Sequence, residues 1–277
     1  MTRRRVVVTG LGLISPVGNT VAEGWANILA GRSGIATVTR FDASNLACHF
    51  AGEVKGFNVE DYIPAKEARH MDTFIHYGLA ASLQAIRDAG LPTGDALSPE
   101  LAERIGVLVG SGIGGLPMIE QTHEELTNRG PRRISPFFVP ASIINMISGH
   151  LSIRYGLKGP NLSLVTACTT GLHCIGSAAR MIEYGDADVV VVEGGDLAGG
   201  AAEGPGAAAV LPRHEAPQRA VGHLAQPPGG LGRGEEDVVA GVGVGHPGHA
   251  DHREELHLVA VEIDDARLPL HRRRQLQ

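Results

Sequence analysis

Two runs in this chain are apolar at nearly every position and too short for a helix: Ile105-Gly-Val-Leu-Val109 and Val189-Val-Val-Val192, the latter inside Asp188 to Glu193. A strand without polar alternation buries both faces, so helices must cover it on both sides. Arg5 to Thr9 is a β-branched run read as a central strand, and Asn161 to Val165 reads as a further buried strand. Between them lie segments with helical spacing: Val21 to Ala30, Met71 to Ala89, Leu116 to Thr127, Ser142 to Tyr155 and Thr170 to about Tyr184. Asn19 or Thr20 can cap the first of these, and Gly90 ends the second. Residues 35–70 read as an irregular excursion with a small hairpin, and Ile134 to Pro140 as extended chain. Strands alternating with helices predict a layered α/β fold with a largely parallel sheet.

The pattern breaks after Gly195. From Asp196 to Gln277 there is no Ser, Thr, Asn, Lys, Cys, Met, Phe, Tyr or Trp, and Ile occurs only at 263. A segment without aromatics and with only one isoleucine is poorly supplied to fill a core. The division is therefore residues 1–195, a folded α/β unit, and residues 196–277, a tail rich in Gly, Ala, Pro, His and Arg that is expected to be mostly disordered. Only Glu254 to Leu268 looks locally orderable. Translation of GC-rich DNA in a shifted frame after about Gly195 would produce such a break.

The net charge of −6 gives no sign of nucleic-acid binding. The three cysteines, Cys48, Cys168 and Cys174, form neither a disulfide framework nor a metal-ligand spacing, so a reducing, cytoplasmic setting is expected. No stretch reaches the roughly 18 apolar residues of a membrane span, and the apolar run after Arg3-Arg-Arg5 is too short for a signal peptide. Gly110, Gly112 and Gly115 match a dinucleotide-binding spacing, but the next strand does not end in the acidic residue that would hold a ribose. These glycines are read as allowing close packing beneath a pocket, and no cofactor is expected. His246, His249 and His252 share an H-x-x-H-x-x-H spacing that Pro247 and Gly248 prevent from aligning, so no metal is expected either.

Cys168 falls on a turn of small residues between the strand at 161–165 and the helix at Thr170. A cysteine at a helix N-terminus lies near unpaired N–H groups and the positive end of the dipole, which favour the nucleophilic thiolate. The same N–H groups suit an oxyanion formed by attack on a thioester. Composition alone favours a small buried core cysteine. His173, five residues on, is offset from the helix start and is read as a packed or hydrogen-bonded histidine rather than a base, and His150 similarly. Lys66, Arg69 and His70, with Arg129, Arg132 and Arg133, are either solvated basic clusters or a docking patch for an acidic partner.

Several segments together carry a resemblance: Val6-Val-Val-Thr-Gly-Leu-Gly-Leu-Ile-Ser-Pro-Val-Gly18, Arg69-His-Met-Asp-Thr-Phe-Ile-His-Tyr-Gly78, Gly110-Ser-Gly-Ile-Gly-Gly115, Arg132-Arg-Ile-Ser-Pro-Phe-Phe-Val-Pro140, Tyr155-Gly-Leu-Lys-Gly-Pro160, Thr166-Ala-Cys-Thr-Thr-Gly171 and Tyr184-Gly-Asp-Ala-Asp188. Residues 1–195 resemble the N-terminal half of the β-ketoacyl-acyl carrier protein synthases of type II. The resemblance implies the thiolase-like layered fold, of which this stretch is one half, and a homodimer. It implies that Cys168 takes an acyl group from acyl carrier protein as a thioester. Malonyl-carrier protein then loses CO2, and its carbanion attacks that thioester in the condensation of fatty-acid elongation. By the same resemblance Ile113 and Phe138 line the acyl-chain pocket, and Lys66, Arg69, Arg132 and Arg133 dock the acidic carrier.

The family's two catalytic histidines and supporting lysine belong to its second half, and the tail here has no lysine. Three readings follow: a condensing enzyme impaired by the missing residues, a non-catalytic remnant or interaction fragment, and a polyketide ketosynthase. The Pro-Arg-Arg-Ile-Ser-Pro-Phe-Phe segment at 131–138 favours the fatty-acid type over the last.

Overall fold

The computed structural model describes residues 4–195 and, further on, 206–212. In chain order the elements are β1 (Val6–Leu13), α1 (Val21–Leu29), β2 (Ile35–Thr37), β3 (Phe50–Gly52), α2 (Ala65–Ala68), α3 (Thr73–Asp88), α4 (Pro99–Ala102), β4 (Ile105–Ser111), α5 (Leu116–Arg129), α6 (Phe138–Ser142), α7 (Met146–Tyr155), β5 (Asn161–Leu162), α8 (Thr170–Tyr184), β6 (Val189–Gly195) and β7 (Gly206–Pro212). The main sheet has the order β1-β7-β6-β4-β5. β4 runs parallel to β5 and β6, while β7 is antiparallel to β6 and β1. β2 and β3 form the small hairpin expected in the 35–70 excursion.

Helices cover both faces, as the uninterrupted apolar strands require. Val189 and Val191 of β6, with Ile105, Val107 and Val109 of β4, pack against α3 and α7. Val190, Val192 and Leu108 face Cys174, Ala178 and Ile182 of α8. α3 is buried over most of its circumference because small residues (Gly78, Ala80, Ala81, Ser82, Ala85) let it lie close to its neighbours. At the base of the sheet, Asp188 pairs with Arg104 at 2.9 Å and with Arg4 at 3.0 Å. Burial pushes its carboxyl up, but the two guanidiniums overcome this and hold it below the usual carboxylate range.

The structure departs from the sequence reading in four places. β1 stands at one end of the described sheet instead of its centre. Its edge N–H groups at Leu11 and Leu13 donate to Asp88 Oδ2 (2.9 Å) and Gln84 Oε1 (3.2 Å), so α3 closes that edge. The strand expected at 161–165 is two residues long, Asn161–Leu162, and exposed. Phe138 begins a short helix, α6, where extended chain was expected. Gly206–Pro212, inside the segment expected to be disordered, is a strand that fills the gap between β1 and β6. The other tail residues, with Glu254 to Leu268, His246, His249 and His252, lie outside the described residues.

One core residue is out of place by polarity. Glu193 on β6 is fully buried, and its Oε2 accepts the Ser82 hydroxyl at 2.9 Å, while Oε1 has no hydrogen-bond partner. Burial pushes its carboxyl up from 4.5 to about 8, against the lowering effect of the Ser82 bond. The folded chain thus keeps a proton that the unfolded chain loses between pH 4.5 and about 8. Stability is greatest below this window and falls as pH rises through it, by about 1.4 kcal/mol per unit. Urea melts near the two ends of the window should show a steeper fall in stability with pH in the native chain than in Glu193→Gln; equal slopes would contradict it.

Candidate active site

The chemistry-bearing stretch follows β5 and enters α8, at the C-terminal edge of the parallel strands, the edge where open α/β sheets bind ligands. Thr166 is extended in φ at −140°, and Ala167 then takes φ 51°, the one non-glycine residue with positive φ among the described residues. An alanine in the left-handed region costs about 1–2 kcal/mol, so the turn must be held by its surroundings. A 3₁₀ turn spans Ala167–Thr169, and α8 begins at Thr170.

Threonine hydroxyls supply the hold. Thr170 Oγ1 accepts the Thr166 N–H at 3.0 Å and donates to the Ala167 carbonyl at 2.6 Å, bridging the strained residue. Thr169 Oγ1 donates to the Thr166 carbonyl at 2.7 Å. His173 reaches back along the helix, and its Nδ1 lies 2.7 Å from Thr166 Oγ1. The expected hydrogen-bonded histidine is therefore present, exposed rather than packed. Cys168 is exposed at the crest of this turn.

Two strand glycines allow α8 to start so close to the sheet. A Cβ at Gly110 would lie 2.3 Å from the Leu164 carbonyl oxygen and 2.3 Å from Thr170 Cγ2. A Cβ at Gly194 would lie 1.9 Å from Gly171 Cα. The third cysteine, Cys174, is one turn further along α8 and buried. Burial first, then the nearby Glu193, pushes its thiol up to about 12. Cys48 is exposed on the 35–70 excursion, remote in sequence from the turn. Among the described residues no group of three His, Cys, Asp or Glu could hold a metal ion.

Ile113 sits exposed on the loop that leaves β4, on the same sheet edge as Cys168. The loop is pinned by the Gly114 N–H on Ser111 Oγ (3.1 Å) and the Gly115 N–H on the Ser142 carbonyl (2.9 Å). Phe138 is half-buried at the start of α6, the helix that carries Ser142. Asp72, which sequence reasoning did not single out, ties these parts together. Its Oδ2 accepts the Met118 N–H in the first turn of α5 at 2.7 Å, and its own N–H donates to the Ala141 carbonyl. Burial raises its carboxyl above the usual range, against the pull of the Met118 N–H.

Lys66 and Arg69 are exposed on and just after α2, and Arg132 and Arg133 are exposed in a 3₁₀ turn at Pro131–Arg133. Arg129 is engaged by Glu125 at 3.1 Å. The His70 ring stacks on Phe137 with centroids 4.0 Å apart, which joins the two basic segments. His150 is half-buried on α7, and burial lowers its pKa against the opposing pull of Glu67.

The family described as Beta-ketoacyl synthase, N-terminal domain, matches residues 3–235. This match runs past Gly195, the limit set by the composition break. The 3-oxoacyl-[acyl-carrier-protein] synthase 2 of Vibrio cholerae serotype O1 is 54% identical over 223 residues, covering 79% of this chain and 53% of that protein. The enzyme of the same name from Coxiella burnetii is 50% identical over 198 residues, covering 72% and 47%. The chain thus spans about half the length of the curated relatives it matches. Among solved structures, the ishigamide ketosynthase/chain length factor is similar with TM-score 0.64 and 27% identity, over 77% of this chain and 59% of that one. The ketosynthase of the AntDE:AntF assembly, a type II polyketide system solved with its acyl-carrier protein, shares the fold at TM-score 0.63 and 24% identity, over 76% and 63%.

The contact between Gly171 and Gly194 is backbone on backbone, so neither side can yield to a methyl group. Gly194→Ala should destabilise the chain by about 3 kcal/mol and lift α8 enough to expose Cys174 to alkylation. A thermal melt with thiol labelling checks this; a native melt with Cys174 still protected would contradict it.

Proposed function

We propose, from the premise that this chain belongs to the β-ketoacyl synthase family, that Cys168 accepts an acyl group from acyl carrier protein as the first half of a decarboxylative condensation. The observation that carries the reading is the exposed thiol at the crest of a strained, threonine-braced turn opening a long helix. The Cys168 thiolate attacks the thioester carbonyl, and a carbon–sulfur bond forms as charge moves to the carbonyl oxygen. The N–H groups of Thr169 and Thr170 are taken by the Thr166 and Ala167 carbonyls, so the remaining backbone N–H groups at the Cys168 turn and the start of α8 are assigned to stabilising that oxyanion. Collapse expels the carrier's thiolate, which takes up a proton, and leaves the acyl group on Cys168.

In the family's reaction a malonyl-carrier protein then loses CO2, and its carbanion attacks the Cys168 thioester. The histidines and lysine that the family uses for this step have no counterpart among the described residues. On this reading the described residues carry the acyl transfer, and the condensation step needs groups beyond them. The fatty-acid reading is preferred to the polyketide one because identity reaches 54% with the synthase 2 enzymes and 27% with the ishigamide ketosynthase.

Ile113 and Phe138 are assigned to the acyl-chain pocket, and Lys66, Arg69, Arg132 and Arg133 to carrier docking. The exposure of the four cations and the His70–Phe137 stack between their segments support the latter. A homodimer is supported by β5, which pairs with β4 on one side and leaves the other edge of the described sheet exposed. No described helix is long and apolar enough to cross a membrane, and a cytoplasmic location suits the reduced thiols.

The test is incubation with acyl-carrier protein bearing a saturated acyl chain and with malonyl-carrier protein, following free carrier thiol, CO2 and 3-oxoacyl product. Stoichiometric release of carrier thiol is expected, lost in Cys168→Ser, with CO2 release about 10²-fold or more below a complete enzyme. Condensation at the full rate would contradict the division of labour, and no thiol release from a folded chain would contradict the role of Cys168. Lys66→Glu with Arg132→Glu should raise the half-saturating carrier concentration severalfold, less so at high salt; an unchanged value would remove these residues from docking.

A further inference from the structure

We infer that His173 is a positioning residue for Cys168: through Thr166 it holds the strained turn in the shape that keeps the thiol at the start of α8. The inference deepens the proposed role of Cys168 and rests on it for its catalytic meaning. It starts from a local imbalance. Ala167 sits at φ 51°, and a residue other than glycine stays there only where its neighbours over-determine it. Those neighbours divide into two sets.

Thr169 from within the turn and Thr170 from the first position of α8 act on the Thr166 N–H, the Thr166 carbonyl and the Ala167 carbonyl. Both bind backbone only, and Thr169 moves with the turn. His173 acts from outside it. It lies in the body of α8, on the same helix as Cys174, Ala178 and Ile182, which are anchored in the core, and its Nδ1 meets the Thr166 side chain at 2.7 Å. This bond refers the position of Thr166 to a rigid element instead of to the turn itself. Thr166 immediately precedes the strained residue, so fixing its side chain limits how far Ala167 can relax. If Ala167 moved to the right-handed region, the chain direction at Cys168 would change and the thiol would leave the helix start.

The ring is exposed, and no contact that would make it part of a core is seen. A purely structural role predicts little from its loss, since exposed side chains usually contribute little to stability. A positioning role predicts a change confined to Cys168. The chain carries its own references: Cys48 is an exposed thiol away from the turn, and Cys174 is a buried thiol that reports on the seating of α8.

The experiment is peptide-resolved alkylation of the full chain by iodoacetamide across pH, comparing the native chain with His173→Ala, His173→Asn, Thr166→Val and the double variant His173→Ala/Thr166→Val. Loss of one hydrogen bond to the turn should slow Cys168 relative to Cys48 by about tenfold and shift its pH profile. His173→Asn, whose amide can occupy the place of Nδ1, should recover most of the native ratio. The double variant should be no slower than either single one, because both remove the same bond. Cys174 should stay protected throughout.

An unchanged Cys168 to Cys48 ratio in His173→Ala, or effects of the two single variants that multiply, would overturn the inference. Should His173→Ala expose Cys174, Thr166→Val carries the comparison, since it leaves α8 intact, and an unchanged ratio there overturns the inference equally. Iodoacetamide needs no acyl donor. A chain that fails to take an acyl group yet shows the His173 dependence loses the catalytic reading and keeps the positioning one; the converse result loses the positioning alone.

Discussion

The first turn of α8 rests directly on the sheet, and the placement of the reactive turn depends on that contact. Gly171 meets Gly194 of β6 backbone to backbone, and Gly110 of β4 leaves room for the Leu164 carbonyl and the Thr170 methyl. Any side chain at Gly110 or Gly194 would push the helix start outward, and with it the turn that presents Cys168. The remainder of α8 is held by Cys174, Ala178 and Ile182 against Leu108, Val190 and Val192. The exposed thiol is therefore set first by packing on two strands, and the threonines of the turn with His173 hold it there.

β6 serves two layers at once because successive side chains point to opposite faces. Gly194 clears the way for α8, while Glu193 beside it points into the α3 layer and meets Ser82. A neutral carboxyl fits there with one partner, and an ionised one does not. The same carboxyl raises the Cys174 thiol further, which widens the contrast between the inert cysteine inside α8 and the exposed one before it. Strand periodicity thus accounts for the three layers and for the buried carboxyl near the inert Cys174.

Much of this was legible in the sequence, because β4, β6, α1, α3, α5 and α8 are fixed by short-range patterns: uninterrupted β-branched runs, helical spacing, and glycines at the ends. What was not legible depends on long-range partners. β1 reads as central from its apolar run, yet it is an edge strand whose N–H groups are met by Gln84 and Asp88 far along the chain. Gly206–Pro212 has too weak a strand pattern to be seen alone and gains its place from the gap between β1 and β6. Cys168 could be located from its turn. The His173 to Thr166 bond could not, because helical spacing relates His173 only to residues within α8 and Thr166 lies before it, on a turn whose path the local pattern does not set; seven residues along that turn and helix start bring the two side chains together. Asp72 was likewise hidden, since its partners, Met118 and Ala141, lie on other helices.

The central claim is that one of three cysteines is placed to accept an acyl group. The most direct measurement is peptide-resolved mass spectrometry of the folded chain after incubation with an acyl-carrier-protein thioester, without malonyl donor. The acyl mass is expected on Cys168, with Cys48 and Cys174 unmodified. Acyl groups on Cys48 to the same extent, or on no cysteine of the folded chain, would contradict it.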